Sequence, residues 1–307
     1  MTIPVTGSGS NTRRRRVVTE RDATSTVEDG MTIAIGGFIN SGHPMSIVRQ
    51  LIRDGRRDLT VVGAASAGLE IDLLIAANVA SKIVTPYVGA EGLVGIGPAF
   101  RRVAQAGEIE LFELDEAHYY AGLRAAAQRV PFNPWRAGLG TSLVEVNPDL
   151  RVFEDPITGE PMIAVPAIEI DVCFLHVARA DAFGNLQHNG TAYGDVAISA
   201  ASAQTFASVE QIIPSEQIRA APQLTTVDGA TGVVRAQFGA HPFSAEGFYR
   251  PDEAHIRSYI AAADEWLRTG SRTRLDSYLE RYVFGPADHI DYLETIGTRS
   301  LFGLYEY

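Results

Sequence analysis

Short apolar runs alternate with helix-length amphipathic segments from Met31 to Arg129. The runs at residues 31–38, 59–64, 82–88 and 109–114 have the length and composition of strands, and the segments 45–54, 71–80, 98–106 and 117–129 those of helices. Such an alternation is typical of βαβ units, which place parallel strands in one sheet. The pattern therefore predicts an α/β fold, with a largely parallel sheet, helices on both faces, and ligand-binding loops at the carboxyl ends of the strands.

The second half of the chain departs from this alternation. Residues 131–160 are rich in Pro, Gly and Asn, so we interpret them as an excursion from the sheet that forms a lid or contacts a partner. Strand-like runs return at 162–165, 172–178, 209–213 and 232–238, and a helix is predicted at 195–206. From Glu253 onward, aromatic and aliphatic residues recur at helical spacing, which predicts helices that dock on the sheet.

Length and composition fit one large globular domain. The chain has 307 residues, of which 46% are hydrophobic and 21% charged, and this supplies enough apolar material for a substantial core. A Gly/Ser-rich N-terminus that carries four consecutive arginines, Arg13 to Arg16, predicts a disordered tail at residues 1–22. Residues 23–307 are then the folded domain, with a helical C-terminal region.

The charge and the missing motifs exclude several classes of ligand. A formal charge of −11 argues against nucleic acid as a partner. No stretch approaches the ~20 apolar residues of a membrane helix and no signal-peptide core follows the arginines, so we expect a cytoplasmic protein without membrane contact. The histidines show no metal-ligand spacing, and no Walker or dinucleotide fingerprint follows a strand. We therefore expect no metal and no bound cofactor, and we predict that Cys173 is a buried strand residue.

The most specific motif runs from Asp29 to Pro44, where a buried strand ends at Gly36-Gly37. Because glycine lets the backbone approach a ligand closely, two N–H groups at this turn could hold a thioester oxyanion or a carboxylate. A tight turn between a strand and a helix would leave the same pattern. The residues alone leave both interpretations open.

This motif resembles the signature of family I CoA-transferase α-subunits: Asp-Gly, an apolar triplet, Gly-Gly-Phe, three residues, Gly, any residue and Pro. The resemblance extends along most of the chain, includes Val130-Pro131-Phe132 and Gly239-Ala240-His241-Pro242, and is strong for glutaconate CoA-transferases. It implies a largely parallel α/β sheet and a CoA thioester as substrate. It also implies a substrate pocket shaped by Gly36, Gly37, Phe38, Asn40 and Ser41.

The same resemblance implies a partner chain. In such enzymes the thioester is attacked by a glutamate of the β-subunit, which is covalent catalysis by a carboxylate. This chain has no Ser-Glu-Asn-Gly segment like the one that carries that glutamate, and its nearest string, Ser215-Glu216-Gln217, fits a helix start with Ser215 as the cap. We therefore expect a heterodimer or heterotetramer with a β-type subunit, in which both chains share the active site.

Glu116 departs from the transferase pattern. It falls where transferases of this family usually carry a glutamine that lines the thioester pocket. The frame around it, including residues 125–129 and 136–140, resembles the α-subunit of a steroid ring-cleaving hydrolase of the same superfamily. In that hydrolase the glutamate is regarded as the catalytic base, so the resemblance implies that Glu116 is catalytic. A helix that begins with Asp115 as its cap and Glu116 as a first-turn acid is the alternative interpretation.

Two further positions bear on the substrate. Glu91 falls near a serine that is thought to hold the distal carboxylate of the acyl group in glutaconate enzymes, and a carboxylate there would repel a dicarboxylate. Ser66 lies in the loop where other members of the family place asparagines around the pantetheine arm. Both residues are therefore predicted to contact the substrate, and the substrate preference is expected to differ from that of the related enzymes.

Three functions are consistent with these residues. The first is transfer of CoA between acyl groups, with the partner's glutamate as nucleophile. The second is a CoA-thioester hydrolase or a C–C bond-cleaving lyase that uses Glu116 as base, as in the opening of a steroid or cyclic-diketone ring. The third is a non-catalytic subunit that stabilises its partner. A Ser-Glu-Asn-Gly segment in the partner chain would favour the first function over the second, and a large distance between Glu116 and any cleft would favour the third.

Overall fold

The computed structural model describes residues 14–305. Its strands are β1 (Val17–Val18), β2 (Thr32–Ile35), β3 (Leu59–Val62), β4 (Ala80–Val84), β5 (Glu110–Leu111), β6 (Phe132–Trp135), β7 (Arg151–Glu154), β8 (Pro161–Pro166), β9 (Ile170–Ala180), β10 (Leu186–Gln187), β11 (Ser202–Ile212), β12 (Thr225–Val227) and β13 (Gly232–Arg235). Its α-helices are α1 (Glu20–Thr24), α2 (Met45–Arg53), α3 (Leu69–Ala76), α4 (Pro98–Ala106), α5 (Glu116–Gln128), α6 (Leu143–Val146), α7 (Asp195–Ala201), α8 (Ser215–Ala220), α9 (Glu253–Thr269), α10 (Thr273–Leu279), α11 (His289–Ile296) and α12 (Thr298–Phe302). A 3-10 turn spans Pro222–Leu224 and a π-helical turn spans Glu280–Phe284.

Ten strands form the larger sheet, and eight of them follow the order β1-β13-β11-β9-β2-β3-β4-β5 with parallel pairing. The strand order runs outward from the middle of this sheet in two directions, from β2 to β5 on one side and from β9 to β13 on the other. β2 and β9 pair directly, with Ala34 opposite Cys173. Their junction is a topological switch point, where the loops that follow the two strands diverge and leave a crevice. The predicted largely parallel α/β sheet is confirmed.

Alternating side chains of the central strands fill separate cores on the two faces of the sheet. Ile33 and Ile35 of β2 belong to the core that α2, α3 and α9 cover, and Ala34 belongs to the core that α5 and α7 cover. Cys173 of β9 is fully buried in the second core and donates to Thr205 Oγ1 at 3.2 Å. Burial raises the pKa of its thiol to about 11, so the predicted buried strand position of this cysteine is confirmed.

The middle of the chain confirms one prediction and corrects another. The strand predicted at 162–165 is β8, which pairs with β6 and β7 in a separate antiparallel sheet, so the excursion from the main sheet extends to Pro166. The helix predicted at 195–206 is wrong beyond Ala201. From Ser202 onward the chain pairs along β9, beginning opposite Ile170, and this pairing overrides the local helical pattern.

The N-terminal boundary predicted from the sequence is also wrong. Residues 1–13 of the predicted tail lie outside the described residues, but residues 14–22 are not a disordered tail. β1 pairs in parallel with β13, Thr19 caps α1, and the Arg16 guanidinium donates to the carbonyl oxygen of Ala230 at 2.5 Å. The folded domain therefore begins before residue 23.

Ser215 starts a helix as predicted, but it is not the cap. Pro214 occupies the N-cap position of α8. The Ser215 hydroxyl instead donates to Asp181 Oδ2 at 2.7 Å, which ties α8 to the turn after β9. Within residues 14–305, no helix has both the length and the apolar character needed to cross a bilayer.

The C-terminal helices pack on α2 around a buried arginine. Arg49 donates to the His241 carbonyl oxygen at 2.9 Å, and its guanidinium carbon lies 3.5 Å from the centroid of the Tyr292 ring. His289 donates from Nε2 to the Gln237 carbonyl oxygen at 2.7 Å, while its Nδ1 faces Arg49 Nη2 at 3.4 Å. A proton on Nδ1 would face a cation. Burial and the nearby Arg49 charge accordingly lower the pKa of His289 to about 3.

Acid should therefore destabilise the chain between pH 6.5 and about 3. Below pH 6.5 the unfolded state binds a proton at residue 289 that the folded state does not, so stability falls as the pH falls, by about 2 kcal/mol at pH 5 for His289. We expect the His289→Gln variant to lose less free energy of unfolding than the wild type between pH 7 and pH 5, as measured by urea denaturation. An identical pH dependence in the two proteins would contradict the assignment.

Candidate active site at the switch point

Loops from several strands meet at the carboxyl ends of the central sheet. The Ile39 N–H donates to the Ser66 carbonyl oxygen at 2.8 Å, which joins the loops after β2 and β3. Asn40 Nδ2 donates to the Glu91 carbonyl oxygen at 3.1 Å, which adds the loop after β4. The Ser244 N–H donates to the Asn40 carbonyl oxygen at 2.9 Å, which adds the segment after β13. The structure thus brings together three residues predicted from the sequence, Asn40, Ser66 and Glu91.

A narrow cleft of about 30 Å³ opens at the switch point between β2 and β9. This switch-point cleft is lined by residues from several loops, among them Gly37, Ser41, His176, His188, Tyr193 and Asp195. The ring of Phe38 stacks on the ring of Tyr193, with centroids 4.4 Å apart. Of the residues predicted from the sequence, Gly37 and Ser41 therefore line the cleft, and Phe38 supports one of its walls.

The Asp195 carboxylate holds the cleft together. Its Oδ1 accepts the Gly37 N–H at 2.8 Å, and its Oδ2 lies 2.9 Å from His188 Nε2. His188 Nδ1 in turn lies 2.7 Å from Thr226 Oγ1, on β12. Asp195 is only 2% exposed, and a carboxylate buried to this degree needs such hydrogen bonds to offset its lost hydration. This series of contacts fixes the glycine turn relative to β12.

The backbone donors of the glycine pair are already used within the chain. The Gly36 N–H donates to the Phe174 carbonyl oxygen at 2.9 Å, and the Gly37 N–H donates to Asp195. Of the two interpretations that the sequence left open, these contacts favour the tight turn between a strand and a helix. The glycines are needed for space, because a Cβ on Gly36 would lie 2.5 Å from Asp195 Oδ1. A Cβ on Gly37, whose φ is +107°, would lie 2.5 Å from His43 Nδ1.

His43 fixes the same turn from its other side. Its Nδ1 lies 2.8 Å from the Gly36 carbonyl oxygen and its Nε2 lies 3.1 Å from the Ile39 carbonyl oxygen. An imidazolium can donate at both positions. Glu70 Oε1, 3.3 Å from Nδ1, would balance that charge, and both side chains are fully buried. Burial raises the pKa of Glu70, while the nearby His43 opposes that shift.

Glu116 lies beside the cleft and does not line it. Asp115 caps α5 by accepting the His118 N–H at 2.9 Å, as in the alternative interpretation of the sequence, and Glu116 is an exposed first-turn residue. Tyr120, one turn further along α5, lies close to the start of α7, where a Cβ on Gly194 would lie 3.2 Å from its hydroxyl oxygen. Burial, followed by the charges of Glu116 and Asp195, raises the pKa of the Tyr120 hydroxyl. Glu116 is thus linked to the cleft through a neighbouring tyrosine.

The polar residues between β10 and α7 were not predicted from the sequence. Asn189-Gly190 after a short strand is a turn signal, and it marks the loop that carries His188. No spacing rule connects His188 with Asp195, because the pair is made by the return of the chain across the end of the sheet. Within residues 14–305, no group of three or more His, Cys, Asp or Glu side chains could hold a metal ion.

A larger cavity, of about 570 Å³, lies between one face of the larger sheet and the antiparallel sheet. Its lining includes alternate residues of two strands, Thr60 and Val62 of β3 and Lys82 and Val84 of β4, which share one face of the sheet. None of the site residues predicted from the sequence lines it. Open α/β sheets bind their ligands beyond the carboxyl ends of the strands at a switch point. No residue of the loops that follow β2 and β9 lines the larger cavity, so we assign the candidate active site to the smaller, switch-point cleft.

Comparison with known proteins identifies the family. The model of the Coenzyme A transferase family matches residues 18–232. The chain belongs to the coenzyme A transferase family. One of the subunits of glutaconate CoA-transferase from Acidaminococcus fermentans is 29% identical over 94% of each chain. The crystal structure of that transferase matches with a TM-score of 0.88 and 28% identity, and covers 95% of this chain and 96% of its own. The resemblance to CoA-transferase α-subunits is confirmed.

A second relative has another activity. The cholesterol ring-cleaving hydrolase IpdA subunit of Rhodococcus jostii is 34% identical over 82% of this chain and 88% of its own. An uncharacterized protein of Archaeoglobus fulgidus is 32% identical over 91% of this chain, which spans only 61% of that relative's length. The glutaconate and cholesterol relatives are both subunits of larger enzymes, and the predicted likeness to a transferase and to a ring-cleaving hydrolase is confirmed.

Replacing Asp195 by Asn should disturb the cleft. The amide keeps an acceptor for the Gly37 N–H but removes the anion beside His188, so we expect a loss of about 1–3 kcal/mol in the free energy of unfolding. Because the glycine turn shifts, kcat/KM of the complex with its partner chain should fall at least ~10-fold. Asp264→Asn, which removes an exposed pair with Arg268, is the control and should change neither quantity. If the Asp195→Asn variant had normal kinetics and lowered stability, Asp195 would contribute to folding and not to activity.

Proposed function

We propose that this chain is the α-type subunit of an enzyme that transfers CoA between acyl groups, and that a β-type partner completes its active site. The observation that carries the proposal is the likeness to glutaconate CoA-transferase along nearly the whole chain. The presence of Gly37 and Ser41 in the lining of a switch-point cleft supports it, since such crevices bind ligands. A CoA thioester is then the substrate, and no bound cofactor is involved. The cytoplasmic location expected from the sequence stays a prediction.

In this proposal the chain provides a preorganised wall and its partner provides the nucleophile. The buried Asp195 is bonded through both oxygens and is not free to attack. A glutamate carboxylate of the partner adds to the thioester carbonyl, and the C–S bond breaks to give an acyl-glutamyl anhydride and CoA thiolate. The thiolate then attacks the glutamyl carbonyl, which releases the acid and leaves a glutamyl-CoA thioester for the acceptor. Gly36, Gly37, Phe38, Asn40, Ser41, Ser66 and Glu91 shape the wall.

Glu116 favours a second candidate function, hydrolysis or C–C cleavage of a CoA thioester. It is a carboxylate where the transferases usually carry glutamine, and the cholesterol ring-cleaving relative is 34% identical to this chain. A glutamine can donate a hydrogen bond to a thioester carbonyl, whereas an ionised glutamate only accepts. Glu116 would therefore remove a proton or activate water. Its exposure in this chain means that the partner subunit has to exclude solvent from it.

The third function, a subunit that only stabilises its partner, is less well supported. A subunit selected only for stability is expected to have apolar side chains in place of the buried Asp195 and His188. Buried, hydrogen-bonded charged groups contribute less to the free energy of unfolding than apolar packing does. The buried polar contacts instead fix the position of a turn that lines a cleft. A cleft maintained in this way is more consistent with binding a ligand.

The purified chain should be inactive without its partner. Mixed with acetyl-CoA and a free carboxylic acid, it should give no exchange, because the nucleophile is expected on the other chain. Addition of the β-type chain should restore exchange, measured by chromatography of the acyl-CoA products. Turnover by the chain alone would contradict the shared site.

The Glu116→Gln variant separates the two catalytic functions, since it restores the transferase-like residue with almost no change in volume. If Glu116 is a base, we expect turnover of the complex to fall at least ~100-fold with folding unchanged. Glu113→Gln, at an exposed position three residues earlier, is the matched control and should have normal turnover. Equal or faster CoA exchange in Glu116→Gln would exclude the hydrolase function and leave the transferase.

A further inference from the structure

Glu246 lines the switch-point cleft and has no role in the chemistry proposed above. It lies on the segment after β13, next to Ala245, which also lines the cleft. Asn189 Nδ2 donates to the Glu246 carbonyl oxygen at 3.0 Å. The backbone at Glu246 is therefore attached to the loop that carries His188, one of the polar walls of the cleft.

Two glycines keep the Glu246 side chain at this rim. A Cβ on Gly190 would collide with the Glu246 carboxylate, and a Cβ on Gly247 would collide with the amide nitrogen of Asn189. Each loop thus leaves space for a side chain of the other. The carboxylate of Glu246 lies against the backbone of the opposite loop, so its position relative to the cleft is restricted.

The charge of this carboxylate is available to a ligand. Within residues 14–305, Glu246 makes no ion pair and no side-chain hydrogen bond, whereas Asp195, the other acid that lines the cleft, is bonded on both oxygens. Two like charges about 5 Å apart at the edge of a protein repel strongly enough to change relative rates by tenfold or more. A second carboxylate brought into the cleft by a ligand would meet this repulsion.

We propose that Glu246 determines specificity: it faces the acyl end of a bound CoA thioester and selects acyl groups that lack a distal carboxylate. The inference rests on the proposed function, because it takes a CoA thioester as the ligand. The acyl end belongs in this cleft because the phosphates of the nucleotide end would be repelled by Glu246 in the same way. A hydroxyl on the acyl group, in contrast, could donate to the carboxylate.

The test compares two thioesters of equal chain length, butyryl-CoA and succinyl-CoA, on the complex of this chain with its partner. The wild type should prefer butyryl-CoA at least ~10-fold in kcat/KM, or in Kd where turnover is undetectable. Glu246→Gln, which removes the charge and keeps the shape, should reduce that preference at least ~10-fold through a gain with succinyl-CoA. Glu246→Ala should shift the preference in the same direction and covers the case in which the first variant folds poorly.

Glu253→Gln, which neutralises an exposed acid at the start of α9, is the matched control and should leave the preference unchanged. An unchanged preference in both Glu246 variants would overturn the inference while the proposed function stands. A shift produced by Glu91→Gln alone would also overturn it and assign selection to Glu91. Failure of the wild-type complex to bind or convert either thioester would overturn the proposed function, and this inference with it.

Discussion

The candidate site depends on one buried carboxylate, that of Asp195. It bonds a turn that follows β2 and a histidine that follows β10, so it links the two halves of the sheet across the switch point. A carboxylate at this depth is tolerated only when its oxygens are hydrogen-bonded. Here the partners are the groups whose positions define the cleft, and the requirement to satisfy a buried charge therefore also fixes the geometry of the site.

His43 and Glu70 apply the same principle on the other side of the glycine turn. With Asp195 on one side and the imidazole on the other, the turn has no space for a side chain and little freedom to move. The ionisable groups predicted to meet substrate, Glu91 and Glu116, are instead exposed on the rim. This separates a rigid interior from surface carboxylates whose environment is set only when another subunit covers them.

Local sequence patterns predicted the fold where local forces decide it. The bounds of α4 match the prediction because Gly97 precedes Pro98 and Gly107 ends the helix in the left-handed conformation. The helix predicted at 195–206 was wrong from Ser202 onward, where pairing with a distant strand decides the structure. The local patterns also failed for His188 and Asp195, which only the folded sheet end brings together. The glycine pair was recognisable as a motif, but its cause, the space that Asp195 and His43 occupy, requires the tertiary structure.

The edges of the larger sheet have a consequence for how this chain behaves before it meets a partner. β1 and β5, the outermost strands of its main path, are two residues long. So short an edge presents few unpaired backbone groups and is a poor template for another strand. A newly made copy is thereby protected at these edges from growing into sheet-mediated aggregates. Other chains then bind through surfaces formed by side chains. The shape and charge of such surfaces can distinguish the correct subunit from a second copy of this chain.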